Sequence, residues 1–192
     1  NNDGFLDIYV CKVGDYKGLK ASNELYINNG DNTFKEQAKE YGINFSGFST
    51  QASFFDFDKD GDLDMFMLNH PIKPAQSVDF YALTSARNED SGDRLYRNDN
   101  GLFKDISEEA GIIGNSIGYG LSVSVGDLNN DGWPDLYVCN DFAPDVFLRN
   151  DTTQGSFKPE FLDVTEDIIP TMDMGFGMGC SWGDFNNDGD LD

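Results

Sequence analysis

The chain has 192 residues, the length of one domain or a piece of one at roughly 150 residues per domain, and sets 35 Asp+Glu against 13 Lys+Arg for a net charge of −22. A nucleic-acid surface is excluded, because binding phosphates needs clustered basic residues, and no run is long and apolar enough for insertion into a membrane. Disorder is excluded too, since Leu, Ile, Val and Phe make up a quarter of the chain.

In chain order, the sequence opens in an acidic loop, Asn1-Asn2-Asp3-Gly4-Phe5-Leu6-Asp7, that runs into an apolar stretch over 6–11. β-Branched and aromatic residues there predict a strand buried on both faces. Strands are predicted next over 24–28 and 33–37, separated by the turn Asn28-Asn29-Gly30-Asp31, whose residues tolerate the positive φ of tight hairpins. A Gly-rich apolar strand over 48–55 then leads into Asp56-Phe57-Asp58-Lys59-Asp60-Gly61-Asp62-Leu63-Asp64, followed by strands over 63–68, 94–98 and 102–107. The same succession returns: a strand over 119–125, the loop Asp127-Leu128-Asn129-Asn130-Asp131-Gly132-Trp133-Pro134-Asp135, and strands over 134–139, 146–150 and 161–165. A last strand over 176–182 enters Asp184-Phe185-Asn186-Asn187-Asp188-Gly189-Asp190-Leu191-Asp192.

One acidic loop therefore occurs four times, with its fifth-position aspartates at 3, 60, 131 and 188, spaced by 57, 71 and 57 residues. Four strands per period is the content of a propeller blade. The expected fold is all-β: a partial, open-arc β-propeller of four-stranded antiparallel blades, each acidic loop joining a first strand to a second. Blade boundaries are expected at 1–45, 46–115, 116–173 and 174–192.

The loop chemistry points to Ca²⁺, which takes 6–8 hard oxygen ligands in a tolerant geometry. Side chains at positions 1, 3, 5 and 9 of a tightly curled loop converge, position 7 adds a backbone carbonyl, and Gly at position 6 permits the sharp turn. The candidate ligands are Asp56, Asp58, Asp60, Asp62 and Asp64; Asp127, Asn129, Asp131, Trp133 and Asp135; Asp184, Asn186, Asp188, Asp190 and Asp192; and, in the first loop, Asn1, Asp3, Phe5 and Asp7. The side chains of Asp62 and Asp190, at position 7, are expected to face solvent. An EF-hand is rejected because position 12 is Val10, Met67 or Val138 rather than Glu, and because strand patterns, not helices, follow.

These loops, with Tyr119-Gly120, Phe176-Gly177 and Ala143-Pro144, resemble the FG-GAP/VCBS repeats of integrin alpha-like β-propellers. More narrowly, the chain is similar to the secreted ASPIC/UnbV-type, cartilage acidic protein-like propellers. The residues concerned are Leu95-Tyr96-Arg97-Asn98, Phe103-Lys104-Asp105-Ile106-Ser107-Glu108-Glu109-Ala110-Gly111 and Gly177-Met178-Gly179-Cys180-Ser181-Trp182-Gly183-Asp184. Departures are Phe48-Ser49 in place of an FG pair and no Ala-Pro in the first two repeats. The resemblance implies calcium loops on one face, partner binding on the other, and about seven blades. The remaining blades are then expected from further sequence or a partner chain.

On the implied partner face, the connection over 69–93 is the longest and holds His70, Phe80, Tyr81 and Arg87, suited to protein or glycan contact or alternatively to local packing of an insertion. His70 is the only histidine, and no nucleophile with a base is recognisable, so no catalytic residue is assigned. Cys11, Cys139 and Cys180 read as buried thiols, with Cys11 and Cys139 too far apart to bridge. The sequons at Asn44 and Asn150 matter only in a eukaryotic secretory pathway. The expected function is an extracellular, cell-surface or periplasmic calcium-binding module for adhesion or for protein or glycan binding, not an enzyme. The alternatives are part of a calcium-dependent propeller enzyme acting on polysaccharide, lyase- or dehydratase-like, or a structural spacer.

Overall fold

Alternation of side chains along a strand lets one strand serve two cores, and β5 does so. In the computed structural model, which describes residues 1, 3–14, 16–71, 86–115, 118–141, 143–153, 159–168 and 177–192, β5 spans Asp64–Asn69 and all six of its residues are buried. Met65 and Met67 enter one apolar cluster with Leu25, Ile27, Ile43, Tyr96 and Phe103. Phe66 and Leu68 enter another with Phe57, Leu95, Val123, Leu136 and Val138. The sheet containing β5 is thus sandwiched between two neighbours.

Those sheets are antiparallel meanders. The first joins β1 (Ile8–Val10), β2 (Glu24–Asn28) and β3 (Phe34–Glu36). The second runs β4 (Ser49–Phe55), β5, β6 (Arg94–Asp99) and β7 (Leu102–Asp105). The third repeats this order with β8 (Gly120–Gly126), β9 (Asp135–Asn140), β10 (Val146–Asn150) and β11 (Phe161–Asp163). Both first strands carry a register irregularity at the same place, between Ser49 and Gln51 and between Gly120 and Ser122.

The second and third sheets meet along their first strands. The Gln51 amide mimics a strand, donating to Val123 O at 3.2 Å and accepting from Val123 N–H at 3.1 Å, while Thr50 Oγ1 donates to Gly120 O at 3.0 Å. Gly120 must be glycine, because a Cβ there would lie 2.4 Å from Leu68 Cδ1. Ser49 stands where the second repeat departs from the FG pattern, and its buried hydroxyl accepts from Asn23 Nδ2 at 2.9 Å. A small polar residue there is thus matched by a polar partner in the sheet before it.

Two expectations are corrected. Residues 177–182 form no ladder; only the loop after them closes, Asp192 N–H donating to Gly183 O at 3.0 Å. The strand expected over 161–165 stops at Asp163, whose carboxylate accepts the Thr165 N–H at 3.0 Å and starts the short helix α2 (Thr165–Ile168). A second unforeseen turn of helix, α1 (Ala38–Tyr41), ends at Gly42 with φ of 79°. No helix among the described residues is long and apolar enough to cross a membrane.

Candidate metal centres

Each acidic loop folds by wrapping backbone N–H groups around its own carboxylates. In the second, Asp56 accepts from Asp60 N–H on Oδ1 and from Gly61 N–H on Oδ2, both at 3.1 Å. Asp127 repeats this with Asp131 and Gly132 at 3.1 and 2.8 Å, and Asp184 with Asp188 and Gly189, both at 3.0 Å. The position-5 carboxylate accepts the N–H of position 7 in all four: Asp3 from Phe5 at 2.9 Å, Asp60 from Asp62 at 3.0 Å, Asp131 from Trp133 at 2.7 Å and Asp188 from Asp190 at 3.0 Å. The curl needs left-handed backbone twice. Position 6 is Gly4, Gly61, Gly132 or Gly189, and position 4 is Lys59, Asn130 or Asn187 with φ of 57–59°.

Position 9 ties the loop to the rest of its sheet. Asp64 accepts from Phe57 N–H at 3.1 Å on one oxygen and from Asn98 N–H, on β6, at 2.8 Å on the other. Asp135 takes Leu128 N–H at 3.0 Å and Asn150 N–H at 2.8 Å; Asp7 takes Asn28 N–H at 2.8 Å, and Asp192 takes Phe185 N–H at 2.9 Å. Asn28, Asn98 and Asn150 return a bond from their amides to the position-8 carbonyls of Leu6, Leu63 and Pro134 at 3.1–3.2 Å. These asparagines are parts of the site that sequence reasoning passed over. The signal was available, since the strands expected over 24–28, 94–98 and 146–150 each end in Asn.

In the second loop, carboxylate oxygens of Asp56, Asp58 and Asp64 lie within 4.8 Å of one another. Asp58 Oδ1 is buried and has no hydrogen-bond donor. Burial, and then the charge of Asp60, pushes the Asp58 carboxyl above its usual range, and burial pushes Asp64 up to about 8. Three carboxylates drawn together with an orphaned oxygen is the environment a hard cation relieves, so the residues present fit Ca²⁺. Asp60 is exposed and outside this trio.

Asp62 departs from expectation. Its side chain does not simply face solvent: Oδ1 is buried without a donor, and burial raises its pKa. Asp190 is exposed, and it accepts from Asn130 Nδ2 of the preceding loop at 2.8 Å. The equivalent contact one sheet back sets Lys59 Nζ 4.2 Å above the Trp133 ring. Position 4 of one loop therefore touches position 7 of the next.

In the third loop Asn129 replaces Asp58, and its Nδ2 donates to Asp131 Oδ2 at 2.8 Å. Burial raises the pKa of Asp135. The fourth loop keeps the same backbone bonds but is exposed throughout, as are Asn1, Asp3 and Phe5 of the first, whereas Asp7 is half-buried.

Of the expected partner residues, His70 packs its ring edge-on against Tyr119 at 5.3 Å, and its backbone N–H donates to Phe48 O at 2.8 Å. Arg87 is drawn inward: Nη2 lies 3.7 Å from Asp105, Nε lies 3.9 Å from Glu89, and Nη1 donates to Ile112 O at 3.4 Å. Phe80 and Tyr81 lie outside the described residues.

Stacked antiparallel meanders, the second and third joined along their first strands and bearing an acidic loop between first and second strands, define part of a β-propeller. The chain belongs to the FG-GAP-like repeat family, whose model matches residues 1–67 and 77–138 and so takes in the first three acidic loops. No curated protein matches the chain.

Proposed function

We propose that this chain is a calcium-binding, non-enzymatic propeller module that works outside the cytosol, in the extracellular space, at a cell surface or in the periplasm. The observation that carries the reading is the convergence of Asp56, Asp58 and Asp64 around a buried acceptor with no donor. A bound Ca²⁺ supplies positive charge there. Asp56, Asp58 and Asp64 of the second loop, and Asp127, Asn129 and Asp135 of the third, would hold it together with the position-5 carboxylates. Ligand binding to the folded state alone adds to folding free energy, and four ions would take the net charge from −22 to −14. Extracellular modules bind calcium at about 10⁻⁴–10⁻³ M, a range suited to millimolar calcium outside cells.

The face opposite the acidic loops is the surface offered to a protein or glycan, as in adhesion. The narrower affinity with ASPIC/UnbV-type propellers rests on the runs around Leu95–Asn98, 103–111 and 177–184. Calorimetric titration with calcium, paired with thermal unfolding with and without chelator, tests the reading. Two or more sites and a clear rise in Tm are expected. A folded chain, verified by circular dichroism, that binds nothing at millimolar calcium would overturn it.

A further inference from the structure

The repeat brings two cysteines to facing positions of one seam. Aligning the Asp-Gly pairs places Cys139 where Leu68 stands one repeat earlier, and aligning Tyr119-Gly120 with Phe176-Gly177 places Cys180 where Val123 stands. At the seam between the second and third sheets, Leu68 and Val123 are 0% and 4% exposed and share one apolar cluster. At the following seam both members of that pair are thiols. Cys11 occupies the same position in the first sheet, but the residue matched to it across its seam is Ala52.

The contacts agree with this register. Leu136 and Val138 of β9 face the second sheet, leaving Tyr137 and Cys139 on the other side, where the Tyr137 ring meets Trp182 edge-on at 5.6 Å. Cys180 Sγ lies 3.1 Å from Ser124 Oγ and 4.0 Å from Tyr137 O. Ser124 O–H donates to Cys180 O at 2.9 Å. Ser124 pairs with Tyr137 across the ladder and Ser122 with Cys139, so Cys180 lies over the strand pair that carries Cys139. After burial, the Cys180 thiol is the next cause that pushes the Cys139 thiol up. Cys139 is 2% exposed, whereas Cys180 is half-buried.

We propose that Cys139 and Cys180 are a disulfide-forming pair that staples the third sheet to the segment bearing the fourth acidic loop. The inference does not depend on the calcium reading. The oxidant is a small-molecule disulfide. The more accessible Cys180, as its thiolate, attacks one sulfur of the oxidant, forming a mixed disulfide and releasing one thiolate, which takes up a proton. Cys139 then gives up its proton and attacks the Cys180 sulfur, closing the Cys139–Cys180 bond and expelling the second thiol. Two thiols of the chain are oxidised and one disulfide of the oxidant is reduced to two thiols. Burial holds the Cys139 thiol protonated, with its pKa pushed up to about 12, so the second step is the slow one.

The test is to incubate the reduced chain with oxidised glutathione, count free thiols, and map peptides by mass spectrometry without reductant. The expected result is a fall from three thiols to one, a Cys139–Cys180 linked peptide, and a rise in Tm of about 5 °C that reductant abolishes. Cys11→Ser must close the same bond. Cys139→Ser must leave glutathione on Cys180, and if that variant fails to fold, Cys180→Ser must leave Cys139 unlinked. Three persisting thiols, a glutathione adduct held on Cys180 beside a free Cys139, or any link to Cys11 would overturn the pairing.

Discussion

The second and third acidic loops share a backbone and differ in how their side chains are satisfied. Asp56 and Asp127 hold the same pair of N–H groups, and Asp64 and Asp135 make the same bonds to position 2 and to the third strand. At position 3, however, Asp58 leaves a buried oxygen without a donor, while Asn129 donates to Asp131. The second loop thus leaves a carboxylate oxygen uncompensated at position 3, where the third supplies a donor. The loop is shaped by backbone bonds that any carboxylate at positions 1, 5 and 9 can accept. What position 3 sets is how much a cation relieves.

The largest expected effect comes from removing the shared clamp. Asp64→Ala strips the acceptor from the buried Phe57 and Asn98 N–H groups and should cost about 2–4 kcal/mol in calcium-free protein at pH 5, where repulsion from the carboxylate is small. Denaturant titration reads it, and an unchanged midpoint would refute the clamp. Asp135→Ala should cost a similar amount in the third sheet.

Next comes pH. The folded-state pKa of Asp64, near 8, lies above the ordinary 3.8, so the folded chain binds the proton more tightly than the unfolded one. The stabilisation is complete below about pH 4 and is lost as pH rises through about 8. Thermal unfolding of calcium-free protein should show this decline, and millimolar calcium, which favours the ionised carboxylate, should remove it. A flat calcium-free profile would contradict the burial assigned to Asp64.

Exchanging position 3 sharpens the comparison. Asp58→Asn should weaken calcium at the second loop about tenfold through lost ligand charge while raising the calcium-free Tm, and Asn129→Asp should do the reverse at the third. Calorimetry on both variants decides, and affinities that fail to move in opposite directions would show that position 3 does not distinguish the loops. The smallest effect is expected from Lys59→Met, which keeps the stem but removes the cation over Trp133, a contact worth about 0.5–1 kcal/mol. Trp133 emission should shift in this variant; a spectrum identical to wild type would place Lys59 away from the ring in solution.

Much of this was legible because it is periodic. Strands buried on both faces followed from runs such as Met65-Phe66-Met67-Leu68, and the positive φ at position 6 followed from its invariable Gly in the four loops. Asn98 and Asn150 escaped notice as site residues because they lie 34 and 15 positions beyond the carboxylates they serve, a distance that local pattern does not span. Asp62 was misjudged for a related reason: alternation within the loop points its side chain away from the expected ion, but not into water, since other parts of the fold cover it. The short helices α1 and α2 are single turns set by local caps, too brief for a 3.6-residue period to register.

By itself, then, the sequence determined the repeat, the acidic loops with their turn chemistry, and the two-faced strands, because each depends on residues close along the chain. Only the tertiary structure decided which carboxylates converge, which oxygen lacks a donor and which loop touches the next. Those depend on how far one sheet is rotated and pressed against its neighbour, and that is settled by side chains such as Gly120 and Leu68 meeting across a seam from distant points in the chain.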